Sequence, residues 1–111
     1  MTDREKKYLS DIQQSIHNIL SFTENVTSFE SYKANFLVKA AVERHLGIIG
    51  EAVNKYLREN PNNSLQFAKQ IISLRNRIIH SYDNLDDRLI WIVIKKGLPS
   101  LNDEVTEKLN S

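Results

Sequence analysis

The feature that most constrains the fold of this chain is a run of apolar residues at helical spacing near its N-terminus. The run consists of Leu9, Ile12, Ile16, Ile19 and Leu20. Residues three and four positions apart share one face of an α-helix, so the spacing indicates an amphipathic helix. The segment Thr2-Asp3-Arg4-Glu5 just before it has the form of a capping box. We therefore predict a first helix from about Asp3 to Phe22.

Two further segments repeat this pattern. A second helix is predicted from about Ala34 to Glu59, and Asn60-Pro61-Asn62-Asn63 ends it. Its apolar band is expected to contain Phe36, Leu37, Ala40, Ala41, Leu46, Ile48, Ile49, Val53 and Leu57. Gly47 and Gly50 interrupt this helix, and close approach of a neighbouring helix is the simple explanation. A third helix is predicted from about Ser64 to Ser81, with Ser64 as its N-cap.

The C-terminal third predicts two more helices. Asp83-Asn84 closes the third helix, Asn84 can cap the fourth, and Gly97 is placed as the fourth helix's C′ residue. The apolar face of the fourth helix is expected to contain Leu85, Leu89, Ile92 and Val93. Pro99 fits the first turn of a short last helix. The pattern as a whole predicts an all-α, up-and-down bundle of four to five helices in a single domain over residues 1–111.

Composition narrows the possible functions. The chain has no cysteine, which excludes a disulfide framework and a thiolate metal site. No apolar run approaches the roughly 20 residues that span a bilayer, and the first residues lack the apolar stretch of a signal peptide. We therefore expect a cytoplasmic protein with no membrane partner. The net charge of +1 makes no general case for nucleic-acid binding.

Chemically useful residues concentrate at the end of the third helix. Arg75, His80 and Tyr82 follow the spacing R-x-x-x-x-H-x-Y. Arginine offers a fixed cationic fork to phosphate oxygens, and histidine moves protons near neutral pH. Tyrosine donates a hydrogen bond or is itself modified. Asn76 lies one turn before His80, so the two side chains can meet.

Charge and apolar residues around this motif point to a ligand and to a second copy of the chain. Residues 61–82 contain no aspartate or glutamate but include Lys69 and Arg77, which we expect to contact an RNA backbone. On a helical wheel the apolar residues of this helix form two sectors. One sector contains Ile71, Leu74 and Ile78, and the other contains Ile72 and Ile79. Two sectors indicate two contacts, the bundle itself and a homodimer partner.

Each of these residues also has a structural interpretation. His80 is a helix C-terminal residue of the kind that the helix dipole favours. Arg75 is a candidate for an ion pair, and Tyr82 for a half-buried aromatic residue. His17 and His45 are expected to be structural or surface residues. Glu43 and Glu51 are expected to pair with arginines inside the bundle, without a catalytic role.

Three segments, in order, resemble the HepT-like group of HEPN domains. Ala41 to Ala52 resembles that group's second-helix signature, although Gly47 stands where these helices often carry a longer side chain. Arg75 to Tyr82 is similar to its active helix. Leu85 to Trp91 followed by Gly97-Leu98-Pro99-Ser100-Leu101 resembles its C-terminal segment. The resemblance covers nearly the whole chain.

This resemblance implies a helical, homodimeric, metal-independent ribonuclease toxin that needs no cofactor. It implies that Arg75 and His80 are catalytic and that Asn76 supports them. It also implies a partner, an MntA-type nucleotidyltransferase antitoxin that adenylylates Tyr82 and silences the toxin.

Two other functions remain open at the level of sequence. One is a non-catalytic subunit that binds a nucleotide or substrate within a nucleotidyltransferase complex. The other is a purely structural helical bundle, against which the presence of Arg75, His80 and Tyr82 argues.

Overall fold

A computed structural model describes residues 1–62, 65, 67–80 and 86–111, without the side chains of Ala68, Ile78, Ile79 and His80. The described residues form helices joined by turns, and none of them lies in a β-strand. This confirms the all-α prediction. The helices are α1 (Asp3–Phe22), α2 (Phe29–Ala34), α3 (Phe36–Glu59), α4 (Ala68–His80), α5 (Asp87–Ile92) and α6 (Leu98–Leu109), and a π-helical turn (Val93–Gly97) joins α5 to α6.

The first helix begins and ends where the sequence predicts. The Thr2 hydroxyl oxygen accepts a hydrogen bond from the Glu5 backbone N–H at 3.1 Å, which satisfies one of the free donors of the first turn. The predicted second helix corresponds to α3, and a separate short helix, α2, precedes it. Asn35 adopts an extended conformation between them, and its side chain accepts from the Val38 N–H at 3.1 Å. This cap starts α3 at Phe36 rather than at Ala34.

Helix α4 begins later than the sequence predicts. Phe67 has a φ of 63°, a left-handed conformation that a helix interior excludes. Its carbonyl accepts from the Ile71 N–H at 2.9 Å, so Phe67 takes the N-cap position and α4 starts at Ala68. The predicted ends of this helix, Ser64 and Ser81, lie outside the described residues.

The C-terminal segment differs from its prediction at both ends of α5. Asp86 caps α5 by accepting from the Arg88 and Leu89 N–H groups, whereas the predicted cap Asn84 lies outside the described residues. Gly97 was expected to end a helix, but it has φ −67° and ψ −48° and the helix continues through it. Pro99 does lie in the first turn of α6. The π-helical turn directly precedes this first turn, in which Pro99 donates no backbone hydrogen bond.

Helix α3 lies at the centre of the packing. It makes the most extensive contact with α1 and the next with α4, while α6 packs on α1 and α2 bridges α3 and α5. The core side chains include Leu9, Ile12, Ile16, Ile19, Tyr32, Val42, Leu46, Ile49, Val53, Tyr56, Ile71, Leu74, Ile90, Val93, Ile94, Leu98, Leu101 and Val105. Their burial supplies the main favourable term in folding.

Several predicted core positions are exposed instead. Phe36 and Leu37 remain about four-fifths exposed at the start of α3, and Ile48 is exposed further along it. The buried stripe of α3 runs through Val42, Leu46, Ile49, Val53 and Tyr56, a spacing of three and four that leaves Ile48 to one side. On the fourth predicted helix Ile92 was assigned to the apolar face but is exposed. Ile90, which was not assigned to that face, is buried.

Candidate active site

Arg75 is held where α4 crosses α3. Ile71 and Leu74 are buried in the core and fix α4 against the bundle. Arg75 follows Leu74, so its stem starts at the edge of the helix contact and its head reaches the surface. The Arg75 side chain keeps one quarter of its surface exposed. It is therefore anchored by the core and still accessible to a ligand.

A carboxylate from α3 binds the Arg75 guanidinium. Arg75 Nη2 forms an ion pair with Glu51 Oε2 at 2.6 Å, and Arg75 Nη1 donates to Asn76 Oδ1 at 3.4 Å. The other oxygen of the same carboxylate, Glu51 Oε1, lies 3.9 Å from Lys55 Nζ. The expected pairing of Glu51 with an arginine is thus confirmed. The absence of acids from residues 61–82 does not leave Arg75 unpaired, because α3 supplies the acid.

The other acid considered with Glu51 has a different environment. Glu43 is half-buried, and burial together with the charge of Asp87 raises its pKa, against the opposing effect of Lys39. Among the described residues its charged neighbours are thus an aspartate and a lysine rather than an arginine.

Gly50 lies at a close approach of α3 and α4. A Cβ atom built on Gly50 would lie 2.5 Å from Arg75 Cβ, a distance that real side chains do not tolerate. Gly50 is therefore required by the neighbouring helix, as the sequence suggested for both glycines of α3. Gly47 differs, because a Cβ atom there would meet nothing within 4 Å.

A groove of about 660 Å³ opens beside Arg75, between α1, α3 and α4. Gly47 and Ile48 form part of its surface, so the open space over Gly47 belongs to the groove. Cationic side chains outnumber acids along it, with Arg4, Lys7, Arg44, Lys55 and Arg75 against Asp11 and Glu51. Such a lining attracts an anion. Within the described part of the chain, Arg44 is the groove cation that makes no ion pair.

The remaining predicted site residues lie on or beyond α4. Lys69, Asn76 and Arg77 are exposed on this helix, and Asn76 is close enough to Arg75 to accept its hydrogen bond. His80 is the last residue of α4, and its side chain lies outside the part of the chain that the structure describes. Tyr82 lies outside the described residues altogether. Ile72, from the second predicted apolar sector, is partly buried and packs against the chain's own core.

The other two histidines fit their expected structural or surface roles. His17 is exposed on α1. His45 Nδ1 lies 3.4 Å from Ser15 Oγ, and the His45 ring packs 5.4 Å from that of Phe22. Burial, and then the nearby charge of Arg44, lowers the pKa of His45.

The sequence analysis did not single out Arg44, and it did not identify Arg75 as the shared partner of Gly50 and Glu51. The available signal was the dipeptide Gly50-Glu51, a helix-weakening residue followed by an acid on a helix otherwise rich in good helix formers. That signal does not identify the partner. Only the packing of α4 on α3 shows that both residues contact Arg75.

The fold and this groove define an all-α protein with a cationic site where three helices meet. Residues 12–107 match the model of the family described as Ribonuclease HepT-like. The chain therefore belongs to the HepT-like ribonuclease family. No solved structure gives a significant match to it.

Individual relatives agree with this assignment. A protein of Methanocaldococcus jannaschii named "Putative RNase" is 35% identical over 104 residues, which covers 90% of this chain and 92% of the relative. The "Probable ribonuclease HepT" of Thermococcus cleftensis is 34% identical over 113 residues, covering 98% of each. Another protein named "Putative RNase", from Caldanaerobacter subterraneus, is 32% identical over 105 residues, which covers 94% of this chain and 93% of the relative. None of the helices in the described part of the chain is long and apolar enough to cross a membrane.

Proposed function

We propose that this chain is an endoribonuclease toxin whose active site is built around Arg75 and His80. The observation that carries the proposal is the position of Arg75. Its guanidinium is held by Glu51 at 2.6 Å, remains partly exposed, and faces a groove in which cations outnumber acids. An arginine held in this way, in a member of a ribonuclease family, is suited to bind the phosphate of a ribonucleotide chain.

The proposed reaction uses the RNA's own 2′-hydroxyl as the nucleophile. The 2′-oxygen attacks the adjacent phosphorus, the bond to the 5′-oxygen breaks, and a 2′,3′-cyclic phosphate remains. His80 takes the proton from the 2′-hydroxyl or delivers one to the departing 5′-oxygen. Arg75 stabilises the charge that develops on the phosphoryl oxygens, and Asn76 supports its orientation. Because the nucleophile belongs to the substrate, the mechanism requires no metal ion.

A homodimer completes the proposed site. One His80 acts as base and the second as acid when two copies of α4 meet. The exposed cations Lys69 and Arg77 then extend the positive surface along α4 and bind the flanking RNA backbone. Sedimentation equilibrium of the purified chain measures the mass of this assembly, and a monomer that cleaves RNA at full rate contradicts the two-histidine mechanism.

Regulation is proposed to act through Tyr82. A nucleotidyltransferase antitoxin of the MntA type transfers the adenylate of ATP to the phenol oxygen and releases pyrophosphate. The product carries a negative charge and a nucleotide close along the chain to His80. The added phosphate competes with the RNA phosphate for Arg75. Protein carrying the adenylate at Tyr82, confirmed by intact mass, is expected to lose cleavage. Cleavage at the unmodified rate contradicts this role.

The decisive experiment incubates the purified, unmodified chain with RNA in the presence of EDTA, beside a His80→Ala variant. Cleavage by the wild type alone establishes a metal-independent ribonuclease that uses His80. Cleavage by both proteins rejects His80 as a catalytic residue. Absence of cleavage by either, with the intact mass confirming an unmodified Tyr82, favours a non-catalytic subunit that binds a nucleotide or substrate.

A further inference from the structure

Two consecutive residues of α3 control both ends of the Arg75 side chain. At the stem, Gly50 leaves room for Arg75, because any Cβ atom there would lie 2.5 Å from Arg75 Cβ and 3.1 Å from its Cγ and Cδ. At the head, the carboxylate of Glu51 forms an ion pair with Arg75, with Oε2 lying 2.6 Å from Nη2. The arginine is thus packed along its length and bound at its tip by the same turn of a neighbouring helix.

The charge of this contact is arranged to favour an anion. The carboxylate of Glu51 divides its oxygens between two cations, with Oε2 on Arg75 and Oε1 3.9 Å from Lys55 Nζ. The three groups together carry a net charge of +1. A phosphate approaching Arg75 therefore meets a carboxylate whose charge is already balanced by two cations.

The contact also selects which edge of the guanidinium is available. Nη2 is engaged by Glu51, and Nη1 lies 3.4 Å from Asn76 Oδ1, a distance at the outer limit of a hydrogen bond. A guanidinium is a planar fork whose donors bind two oxygens only when the plane is aligned with them. The contact at Nη2, together with the close packing of the Arg75 stem at Gly50, restricts the orientation of the plane and leaves the weakly engaged donors to a ligand.

We propose that Glu51 is the positioning residue of Arg75, orienting the guanidinium toward the phosphate in the groove before substrate arrives. This inference rests on the proposed function, in which Arg75 stabilises the transition state of RNA cleavage. Glu51 acts through Arg75 and does not touch the reacting atoms. An arginine ordered in advance loses less conformational freedom when it binds its ligand.

The opposite role for Glu51 gives the opposite result. If the carboxylate competed with phosphate for Arg75, its removal would free the arginine and raise the rate of cleavage. A positioning role requires that its removal lower the rate. The sign of the change in kcat therefore separates the two.

The test compares Glu51→Ala with Glu59→Ala in the full chain. Glu59 is a matched control, because it also lies on α3 and its Oε1 is 2.6 Å from an arginine nitrogen, Arg4 Nη1. We expect kcat for RNA to fall by about 10-fold or more in Glu51→Ala, with a smaller change in KM and the same urea midpoint. We expect Glu59→Ala to keep the wild-type kcat. Glu51→Gln keeps an oxygen acceptor for Arg75 and is expected to recover part of the loss.

A double-variant cycle shows whether Glu51 acts through Arg75. In an Arg75→Lys background, Glu51→Ala is expected to cause little further loss, because the group it positions is gone. An equal loss in both backgrounds overturns the proposal, as does an unchanged or increased kcat in Glu51→Ala alone.

A second readout does not depend on activity. With arginine labelled by ¹⁵N, the Nη2–H resonance of Arg75, which belongs to the nitrogen that contacts Glu51, is identified by its disappearance in Arg75→Lys. In the wild type and in Glu59→Ala we expect this N–H proton to exchange slowly with water. In Glu51→Ala we expect its resonance to move toward the averaged signal of solvent-exposed arginines. An unchanged resonance in Glu51→Ala overturns the positioning role. Failure of the wild type to cleave RNA overturns the proposed function instead, and the resonance then decides the role of Glu51 alone.

Discussion

Helix α3 binds two neighbouring helices through two ion pairs of nearly equal length but different surroundings. Lys39 Nζ lies 2.8 Å from Asp87 Oδ2, with 18% and 17% of the two side chains exposed. Arg75 Nη2 lies 2.6 Å from Glu51 Oε2, with 25% and 40% exposed. The first pair ties α3 to the start of α5, and the second opens onto a groove. Distance alone does not distinguish a structural pair from a candidate active-site pair, whereas burial and access do.

The surroundings of Lys39 and Asp87 explain their structural character. Tyr32 packs its ring 5.5 Å from that of Trp91 and is fully buried. Burial, followed by the charges of Glu43 and Asp87, raises the pKa of Tyr32. These are the signs of a drier environment in which an unpaired charge is costly. The groove beside Arg75 exposes its charged groups to solvent and to a ligand instead.

The largest effect is expected from Arg75→Lys. Lysine keeps the charge but lacks the planar fork, so RNA cleavage should fall by about 100-fold or more with little change in stability. The measurement is kcat/KM on a defined RNA. Arg58→Lys is the matched control, because Arg58 is an exposed arginine near the end of α3. Equal activity of both variants would remove Arg75 from the proposed mechanism.

The second effect concerns the pair at Lys39. Lys39→Met keeps the length of the side chain but leaves Asp87 unpaired near Glu43, so the free energy of unfolding should fall by about 2 kcal/mol. Urea unfolding measures the change. The double variant Lys39→Met/Asp87→Asn should recover most of the loss, since no carboxylate is then left unpaired at position 87. If the double variant loses as much free energy of unfolding as Lys39→Met alone, the structural role of the pair is contradicted.

The two glycines of α3 provide a matched comparison at the Arg75 contact. Gly50→Ala forces a Cβ atom against Arg75 and should destabilise the chain by about 1 kcal/mol, the overpacking cost less the gain in helix propensity. Gly47→Ala meets nothing within 4 Å and should stabilise it by up to about 1 kcal/mol. Thermal or urea unfolding compares the two. Changes of the same sign would show that the helices do not approach at Gly50 as described.

The smallest effect is expected from Glu43→Gln and depends on pH. Burial and Asp87 raise the pKa of Glu43, so the ionised carboxylate is less favourable in the folded chain than in the unfolded one. Above the folded pKa this lowers the stability of the wild type, and Glu43→Gln should be more stable at pH 7 by about 0.5 kcal/mol or less. The difference should disappear as the pH falls below the ordinary pKa of glutamate, where both states of the wild type are protonated. A difference that grows as the pH falls contradicts this assignment.

Local patterns predicted those parts of the fold that depend on local interactions. Helix α1 has the predicted bounds because both its cap and its apolar face lie within its own segment. The breaks elsewhere were not predictable in this way. Asn35 separates α2 from α3 and starts α3 two residues later than predicted. Phe67 delays α4 by adopting a positive φ, which no propensity for phenylalanine would suggest.

The candidate site shows the same division. The spacing of Arg75, His80 and Tyr82 could be read directly, and the pairing of Glu51 with an arginine was expected from the sequence. The identity of that arginine was not, because Glu51 has no local signal that points to Arg75. The contributions of His80 and Tyr82 remain predictions, since the His80 side chain and the whole of Tyr82 lie outside the described residues.

The sequence by itself determined the all-α class and the order of the chemically useful residues along α4, because helical periodicity and motif spacing are properties of neighbouring residues. Only the tertiary structure decided that Gly50 must be glycine while Gly47 need not be. It also decided that Glu51 holds Arg75 and that Lys39 holds Asp87. These contacts join residues far apart in the chain, and their existence depends on how the buried faces of α3, α4 and α5 pack together.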